Sequence, residues 1–409
     1  MRKHTRAGLP RMLPRDPAQT FRSSSPLELF FDLIFVVAVS LSSAQLHHAE
    51  SEAHIGAGVL GYLMVFFGIW WAWMNFTWFA SAFDTDDWFY RLLTLTQMAG
   101  VLVLAVGTAP AMQAGDFGLM ILGYVVMRLA LVVQWLRASR SHPGLRRTAL
   151  RYALGVTLCQ AGWIAFLWVP GEWALPAFAV LAIGELAVPV WAESIRQTPW
   201  HPGHITDRYG SFTLIVLGES VLASTVAVAS AAADSDRLGE IAAIGFTGLA
   251  LAAGMWWLYF AADVADRLTA LRSALPFGYG HYIVFASAGA FSAGISVVLD
   301  AELGDTAFGG AVSDRIAAAA TLTVPIALFV LGVWLLILRH HLRGPARVLV
   351  PIGAVAIAAC ALLPWAMLFA AIVMAALVAL VERERRIGIA DEDPAAASEP
   401  EPASGDAPR

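Results

Sequence analysis

The sequence predicts an all-α integral membrane protein with about twelve transmembrane helices, arranged as two parallel six-helix repeats. Of its 409 residues, 58% are hydrophobic and 14% are charged, a balance that a soluble domain does not need. Apolar runs of about 18 residues or more recur along the chain, which is the length that a helix needs to cross a bilayer. Similar segments in the two halves predict the repeat.

The apolar runs place the helices in chain order, each bounded by a polar or Gly- and Pro-containing loop. Pro364 interrupts the last run, so that 346–382 could form two short spans or one kinked span. The predicted spans are 27–46, 55–79, 87–109, 116–138, 148–168, 173–195, 209–231, 239–262, 276–299, 313–338, 346–362 and 365–382.

Basic residues predict the orientation, because Lys and Arg concentrate in cytoplasmic loops. When the spans alternate, all of the 26 Lys and Arg except Arg128, Arg237 and Arg315 fall on one side. We therefore expect a multi-pass protein of the inner or plasma membrane with both termini cytoplasmic. The predicted segments are a basic cytoplasmic tail at 1–24, a six-helix repeat at 25–197, a second at 198–386 and a disordered acidic tail at 387–409.

The repeat is predicted from two pairs of segments. Asp84 follows Trp78 by six residues, and Asp263 follows Trp257 by the same interval. The segment 134–147 likewise resembles 333–347. Because six spans per half is an even number, the repeats would be parallel, as in transporters of the major facilitator type.

The segment Thr198–Ser224 contains two histidines, the pair Asp207 and Arg208, and then Glu219 in an apolar run. With a rise of about 1.5 Å per residue, Glu219 is expected roughly 15 Å beyond the predicted helix start. This is about halfway through a hydrocarbon core of about 30 Å. A carboxylate there costs about 2.5 kcal/mol or more unless it is paired, protonated or hydrated. The small neighbours Gly218 and Ser220 predict a close helix approach.

Other polar side chains have both a structural and a functional interpretation. Ser25 and Glu28 form a predicted capping box, so that Glu28 could be a helix cap or a site residue. Asp32 lies one turn further on the same face and is expected to face the bundle. Asp87 is predicted to pair with Arg91, and Asp263 with Arg267 or within the site. The tryptophans between Ile69 and Trp78 predict an interfacial aromatic belt, with an aromatic wall around a substrate as the alternative.

Three segments, TPWHPGHITDRYGSFTLIVLGES, LELFFDLIFVVAV and FTWFASAFDTDD, resemble the bacterial low temperature requirement protein A family. The resemblance covers most of residues 25–385. It implies a polytopic membrane protein, and the family name describes a growth phenotype without assigning any chemistry.

We expect a secondary transporter or ion permeation protein that uses intramembrane carboxylates for proton or cation coupling. The alternatives are an intramembrane enzyme acting on a lipid substrate, and a membrane scaffold or sensor linked to low-temperature growth. No nucleotide-binding loop or nucleic-acid motif is found, and the His201–His204 pair lacks the glutamate of a zinc-protease motif, so that no cofactor, metal or catalytic residue is predicted. Expected partners are the lipid bilayer, a small polar solute or cation including protons, and a second copy in a homo-oligomer. The predicted path comprises Glu28, Asp32, Asp84, Glu219, Asp263 and His281, with Arg91, Arg128, Glu185, Arg208 and Arg267 as candidate charge partners and His201, His204 and Asp207 as a cytoplasmic gate.

Overall fold

A computed structural model describes residues 10–12, 14–15, 23–83, 85–234, 238–304, 306–308 and 311–392. Within these residues the chain is all helical, which confirms the predicted class, and each predicted span corresponds to a helix. The helices are α1 (Pro26–Ser51), α2 (Ile55–Ala82), α3 (Trp88–Val106), α4 (Thr108–Ala114), α5 (Gly118–Ser141), α6 (Arg146–Phe166), α7 (Gly171–Glu193), α8 (Pro202–Asp234), α9 (Leu238–Tyr259), α10 (Leu271–Leu303), α11 (Val312–Leu336), α12 (Ala346–Ala359) and α13 (Ala366–Glu392).

Nine helical segments of the described chain are long and apolar enough to cross a membrane. They are α1, α2, α3 joined with α4, α5, α7, α9, α10, α11 and α13. Nine of the twelve predicted spans are therefore confirmed as helices that are long and apolar enough to cross a membrane. The remaining three helices fill predicted spans but are more polar or shorter: α6 begins with Arg146 and Arg147, α8 carries Asp207, Arg208 and Glu219, and α12 has 14 residues.

The start of α8 differs from the prediction in a way that matters below. α8 begins at Pro202, so His204, Asp207 and Arg208 are helical and do not belong to a loop. Proline suits a first helical position because its missing N–H would be unpaired there anyway. At the other end of the chain, α12 and α13 are two separate helices, joined by a 3₁₀ turn at Cys360–Leu362 and by Trp365 with φ of 56°.

The centre of the bundle is formed by α1 and α10. α1 packs against α2, α3, α4, α8 and α10, and α10 also packs against α8 and α11. The crossing of α10 with α11 is close at Gly294, where an added Cβ would lie 2.7 Å from the Cα atom of Leu322. This agrees with the small-residue series Ala286, Ala290 and Gly294 in the sequence.

The tryptophans of α2 do not form an interfacial belt. Trp70, Trp71 and Trp73 are at most 2% exposed and lie in the core of the bundle. Trp73 stacks on Phe212 of α8, with ring centroids 4.4 Å apart, and lies edge-on to Phe285 of α10. The prediction was wrong because composition alone does not show whether an indole faces lipid headgroups or another helix.

α1, α8 and α10 run in the same direction, since their first turns are neighbours and their later turns also meet. We call the side of the bundle where α1 begins the proximal side, and the side where it ends the distal side.

Candidate functional site

The first turns of α1 and α8 bring together two acidic and two basic side chains. Each helix begins with proline, Pro26 in α1 and Pro202 in α8. The second and sixth residues after that proline are Glu28 and Asp32 in α1, and His204 and Arg208 in α8. Side chains four residues apart share a helix face. The two helices therefore present acids and bases at matched positions, and we call these four residues the α1–α8 charge cluster.

Asp32 and Arg208 form a two-pronged ion pair at the centre of this cluster. The Nη2 atom of Arg208 lies 2.5 Å from Oδ1 of Asp32, and its Nε atom lies 3.1 Å from Oδ2. The indole N–H of Trp73 donates a third hydrogen bond to Oδ1, at 2.6 Å. Asp32 and Arg208 are fully buried. A buried pair tolerates the loss of its water only with such geometry, and removing one partner of such a pair costs about 3–5 kcal/mol.

Glu28 performs the predicted capping role and also faces the cluster. Its Oε2 atom accepts a hydrogen bond from the backbone N–H of Ser25 at 2.8 Å, and the Ser25 hydroxyl accepts one from the backbone N–H of Glu28. Its Oε1 atom lies 3.1 Å from Nε2 of His204 and 3.3 Å from Nη1 of Arg208. The structure thus brings Glu28, Asp32, His204 and Arg208 together.

A cleft of about 730 Å³ lies on the other side of α8. It is bounded by the first turns of α8, the connection between α9 and α10, and the start of α10. The charged side chains that line it are all acidic: Asp207, Asp263 and Asp266. The lining also includes His201, Tyr259, Phe260 and Phe277. Asp207 and Arg208 are adjacent in sequence, and adjacent residues of a helix point about 100° apart, so that Asp207 lines the cleft while Arg208 contacts Asp32 of α1.

Two of the three acids of the cleft have partners that the sequence did not indicate. Asp207 accepts hydrogen bonds from the backbone N–H and the hydroxyl of Ser24, at 2.8 and 2.6 Å. Asp263 accepts one from the backbone N–H of Ala265 at 2.9 Å, while Arg267 donates to the carbonyl oxygen of His340. The predicted pairing of Asp263 with Arg267 was wrong because α9 ends at Tyr259, so that Asp263 lies outside the helix and Arg267 lies in a separate 3₁₀ turn at Ala265–Arg267.

His281 is buried one layer behind the cleft. Its Nδ1 atom lies 2.7 Å from the carbonyl oxygen of Phe277, and its Nε2 atom lies 2.9 Å from the Tyr259 hydroxyl. A carbonyl only accepts, so Nδ1 carries the hydrogen and Nε2 of the neutral ring accepts from Tyr259. His281 is thereby linked to a residue of the cleft wall, and it is not placed next to Glu219.

A second buried ion pair lies within the N-terminal part of the bundle. Glu185 of α7 accepts from Arg128 of α5 at 2.7 Å and from the indole of Trp71 at 2.9 Å, both through Oε2. Its Oε1 atom accepts from the Tyr124 hydroxyl at 3.0 Å. The same atom accepts from Gln160 and Trp163 of α6, each at 3.3 Å. The sequence predicted Arg128 and Glu185 as charge partners but did not show that they pair with each other.

Glu219 lies apart from these clusters. It is eleven residues beyond Arg208, about 16 Å along α8 at the usual helical rise, and it is partly exposed. A Cβ added at Gly218 would meet no atom within 4 Å, so the expected close helix approach is absent there. It is Ser220 that faces α10, with its hydroxyl 3.1 Å from the carbonyl oxygen of Ala288. Asp84 lies outside the described residues.

The acids before α3 pair differently from the prediction. Arg91 binds Asp86 through two hydrogen bonds, at 2.8 and 2.9 Å, and these lower the pKa of Asp86. Asp87 instead caps α3 through the backbone N–H groups of Phe89 and Tyr90 and pairs with Arg137 of α5. Burial raises the pKa of Asp87, but these hydrogen bonds outweigh it, so that the net shift is downward. Among the described residues, no group of three or more His, Cys, Asp or Glu side chains could hold a metal ion.

The fold and these clusters define a class: a polytopic α-helical membrane protein with ion pairs buried between its helices. A family model described as bacterial low temperature requirement A protein (LtrA) matches residues 23–382. This chain therefore belongs to the LtrA family, as its motifs predict. It is also 27% identical to the uncharacterized protein RA0937 of Rhizobium meliloti (strain 1021) over 305 residues, which are 68% of this chain and 71% of that protein.

Proposed function

We propose that this chain is a secondary carrier in which the α1–α8 charge cluster couples the movement of protons or another cation to that of a small polar solute. The observation that supports this best is the position of the cluster. A fully buried ion pair, Asp32 with Arg208, joins two helices whose other faces differ, since α1 belongs to the core and α8 borders a cleft open to solvent. Intramembrane ionisable groups of this kind commonly mark transport pathways.

We further propose that α1 and α8 are equivalent first helices of two six-helix repeats, at 25–197 and 198–386. The order of packing supports this. In the first half α1 packs on α2 and α3, α3 on α5, α5 on α6 and α6 on α7; in the second half α8 packs on α9 and α10, α10 on α11, α11 on α12 and α12 on α13. Counted by spans, with α3 and α4 as one, these neighbours follow in the same order in each half, and in the second half α9 also packs on α13.

In the proposed mechanism, a solute enters the cleft and shifts α8, which is the wall shared by the cleft and the cluster. Asp207 and Thr206 line the cleft, while His204 and Arg208 face α1. Protonation of Asp32 would remove its negative charge, and a bound cation would screen that charge. Either change would weaken the ion pair between Asp32 and Arg208. The two helices could then separate on the proximal side, and rocking of the halves would alternate access.

On the distal side, α1 of the first proposed repeat contacts α10 of the second. Nε2 of His47 on α1 lies 2.6 Å from Oδ2 of Asp300 on α10, and the Ser51 hydroxyl lies 3.2 Å from the same oxygen. A carrier of this type needs a contact at each end that can open while the other is closed. We place the proximal side in the cytoplasm of a bacterial inner membrane, with both termini there, which the arginine distribution supports.

The test is proton movement in proteoliposomes that hold the full chain and an internal pH-sensitive dye. Sodium, potassium and small organic amines are added in turn as probes. We expect at least one to move protons in vesicles with the wild-type chain. Asp32→Asn should abolish this movement, and Glu172→Gln, which removes an exposed carboxylate at the start of α7, should leave it unchanged.

Glu219→Gln belongs in the same series, because the sequence places Glu219 on the path while the structure places it away from the cluster. Loss of proton movement in this variant would keep Glu219 as a second station on α8. The carrier proposal is refuted if vesicles with the wild-type chain behave as empty vesicles do with every probe, or if Asp32→Asn retains full coupling.

A further inference from the structure

The distal end of α1 carries a buried carboxyl group, Glu50, to which the sequence analysis assigned no role. Glu50 is 3% exposed, whereas the neighbouring His48 and Glu52 side chains are 57% and 52% exposed. Its Oε2 atom is buried and has no hydrogen-bond partner in the described part of the chain. It lies in the last turn of α1, where the partial negative charge of the helix end disfavours an anion.

Three other buried carboxylates, unlike Glu50, accept several hydrogen bonds each. Asp32 accepts from Arg208 and Trp73, Glu185 accepts from five donors, and the carboxylate of Glu193 accepts from the Tyr152 hydroxyl and from the backbone and hydroxyl of Thr198. An ionised carboxylate without such donors has lost its water and gained nothing in return, so the neutral acid is favoured. Glu50 is thus distinct in its surroundings from these three.

The histidines around the distal end of α1 contact acids other than Glu50: His47 contacts Asp300, and His48 and His54 contact Glu52. Tyr62 of α2 donates its hydroxyl hydrogen to the carbonyl oxygen of Ala286. The charged and titratable groups around the distal end of α1 in the described residues include His47, His48, Glu52, His54, Tyr62, Tyr282 and Asp300.

The helix face that carries Glu50 leads inward to the contact between α1 and α10. Ser43 and Leu46, seven and four residues earlier, are buried on the same face. A Cβ added at Gly289 of α10 would lie 3.1 Å from the Ser43 hydroxyl and in contact with the Tyr62 hydroxyl. The hydroxyl groups of Ser43 and Tyr62 thus lie together at Gly289, in the interface between α1 and α10.

We propose that Glu50 is a proton-binding site, occupied at neutral pH, on the distal side of the interface between α1 and α10. A proton fits better than a metal ion, because a metal needs several ligands and no group of three His, Cys, Asp or Glu suited to one is found in the described residues. Binding is a simple addition of H⁺ to the carboxylate. Resting on the carrier function proposed above, Glu50 would be the group that exchanges the coupling proton with the distal side.

The site can be tested without any transport assay. Dicyclohexylcarbodiimide, an apolar reagent, adds to protonated carboxyl groups: the carboxyl oxygen bonds to the carbodiimide carbon, the acid proton moves to nitrogen, and rearrangement leaves a stable N-acylurea. The full chain in liposomes is treated at neutral pH and the modified residue is located by mass spectrometry. We expect modification at Glu50 and none above background at Asp32 and Glu185, whose carboxylates are ion-paired with Arg208 and Arg128. Glu50→Gln should remove the label, and Glu52→Gln should keep it.

Infrared difference spectroscopy covers the case in which the reagent cannot reach the site. The carbonyl stretch of a protonated carboxylic acid should be present in the wild-type chain at neutral pH and absent from Glu50→Gln. The proposal is overturned if Glu50 stays unlabelled and this band is the same in both chains. If Glu50 holds a proton but Glu50→Gln couples proton movement as the wild type does, the proton site stands and its role in coupling falls. Proton occupancy with no transport by the wild-type chain would refute the carrier and leave the site.

Discussion

Replacing Glu185 by glutamine isolates the contribution of one charge at a site with five hydrogen-bond donors. The side chain keeps its shape, but Arg128 loses its counterion while it remains 1% exposed. Leaving one member of a buried pair uncompensated costs about 3–5 kcal/mol. The new NH₂ group must also face either Trp71 and Arg128 or the three donors at Oε1. Each donor left without an acceptor adds about 1–3 kcal/mol, although these costs are not additive.

The free energy of unfolding is measured by denaturant titration in detergent, with tryptophan fluorescence as the signal. We expect Glu185→Gln to lower it by at least about 3 kcal/mol, and Glu172→Gln, exposed at the start of the same helix, to change it by less than about 0.5 kcal/mol. Adding Arg128→Met to Glu185→Gln should restore much of the loss, because no charge then remains buried alone. A loss below about 1 kcal/mol in the single variant, or a double variant that is less stable than the single one, would refute this reasoning.

Two further predictions concern the scaffold. Gly294→Ala should lower the free energy of unfolding by about 1–3 kcal/mol, because its Cβ would overlap the backbone of α11. Gly184→Ala in α7, with no atom within 4 Å of the added Cβ, should raise the free energy of unfolding slightly. Equal effects of the two substitutions would contradict a close crossing of α10 and α11 at Gly294. The pKa of Asp87 is lowered on folding, so its pairing with Arg137 contributes fully above the ordinary carboxyl pKa of about 4 and is lost as the pH falls below it. The difference in unfolding temperature between the wild-type chain and Asp87→Asn should therefore vanish in acid, and a difference that persists there would contradict this assignment.

The positions of the helices could be predicted from the sequence because a membrane span has a simple signature. The predicted span 173–195 corresponds to Gly171–Glu193 and 55–79 to Ile55–Ala82, since an apolar run and its polar ends define the part of a chain that lies in lipid. The start of α8 was missed because His204, Asp207 and Arg208 look like loop residues when read for polarity. The better signal was Pro202, which marks a first helical position.

The partners of the buried charges could not be predicted, because one sequence does not show which helices meet. Arg128 was considered as a partner for Glu219, but it is bound to Glu185. The order of the helices along the chain does not determine which of them pack together. Glu219 was also expected to be buried because it lies halfway along its helix. Successive residues of a helix differ by about 100° in direction, so that Ser220 faces α10 while Glu219 is partly exposed.

One sequence feature could have indicated the α1–α8 charge cluster. Counting from the proline that begins each helix, Glu28 corresponds to His204 and Asp32 to Arg208. If the two halves are related by an axis as proposed above, residues at equivalent positions lie near that axis and can meet. Like residues at such positions would repel, whereas an acid in one half and a base in the other attract. The combination of a repeat and opposite charges at matched positions is thus a signal for contact that neither observation provides alone.

The two ends of the interface differ in what would be required to open them. At the distal end His47 and Asp300 are 31% and 28% exposed, and exposed pairs of this kind contribute about 0–1 kcal/mol. At the proximal end Asp32 and Arg208 are completely buried, and separating such partners costs about 3–5 kcal/mol. Thermal motion can open the first, but the second is rarely broken unless its charges change. In the proposed carrier, protonation or cation binding at the α1–α8 charge cluster must therefore precede the movement of α1 against α8, which is why we assign the coupling step to Asp32 and Arg208.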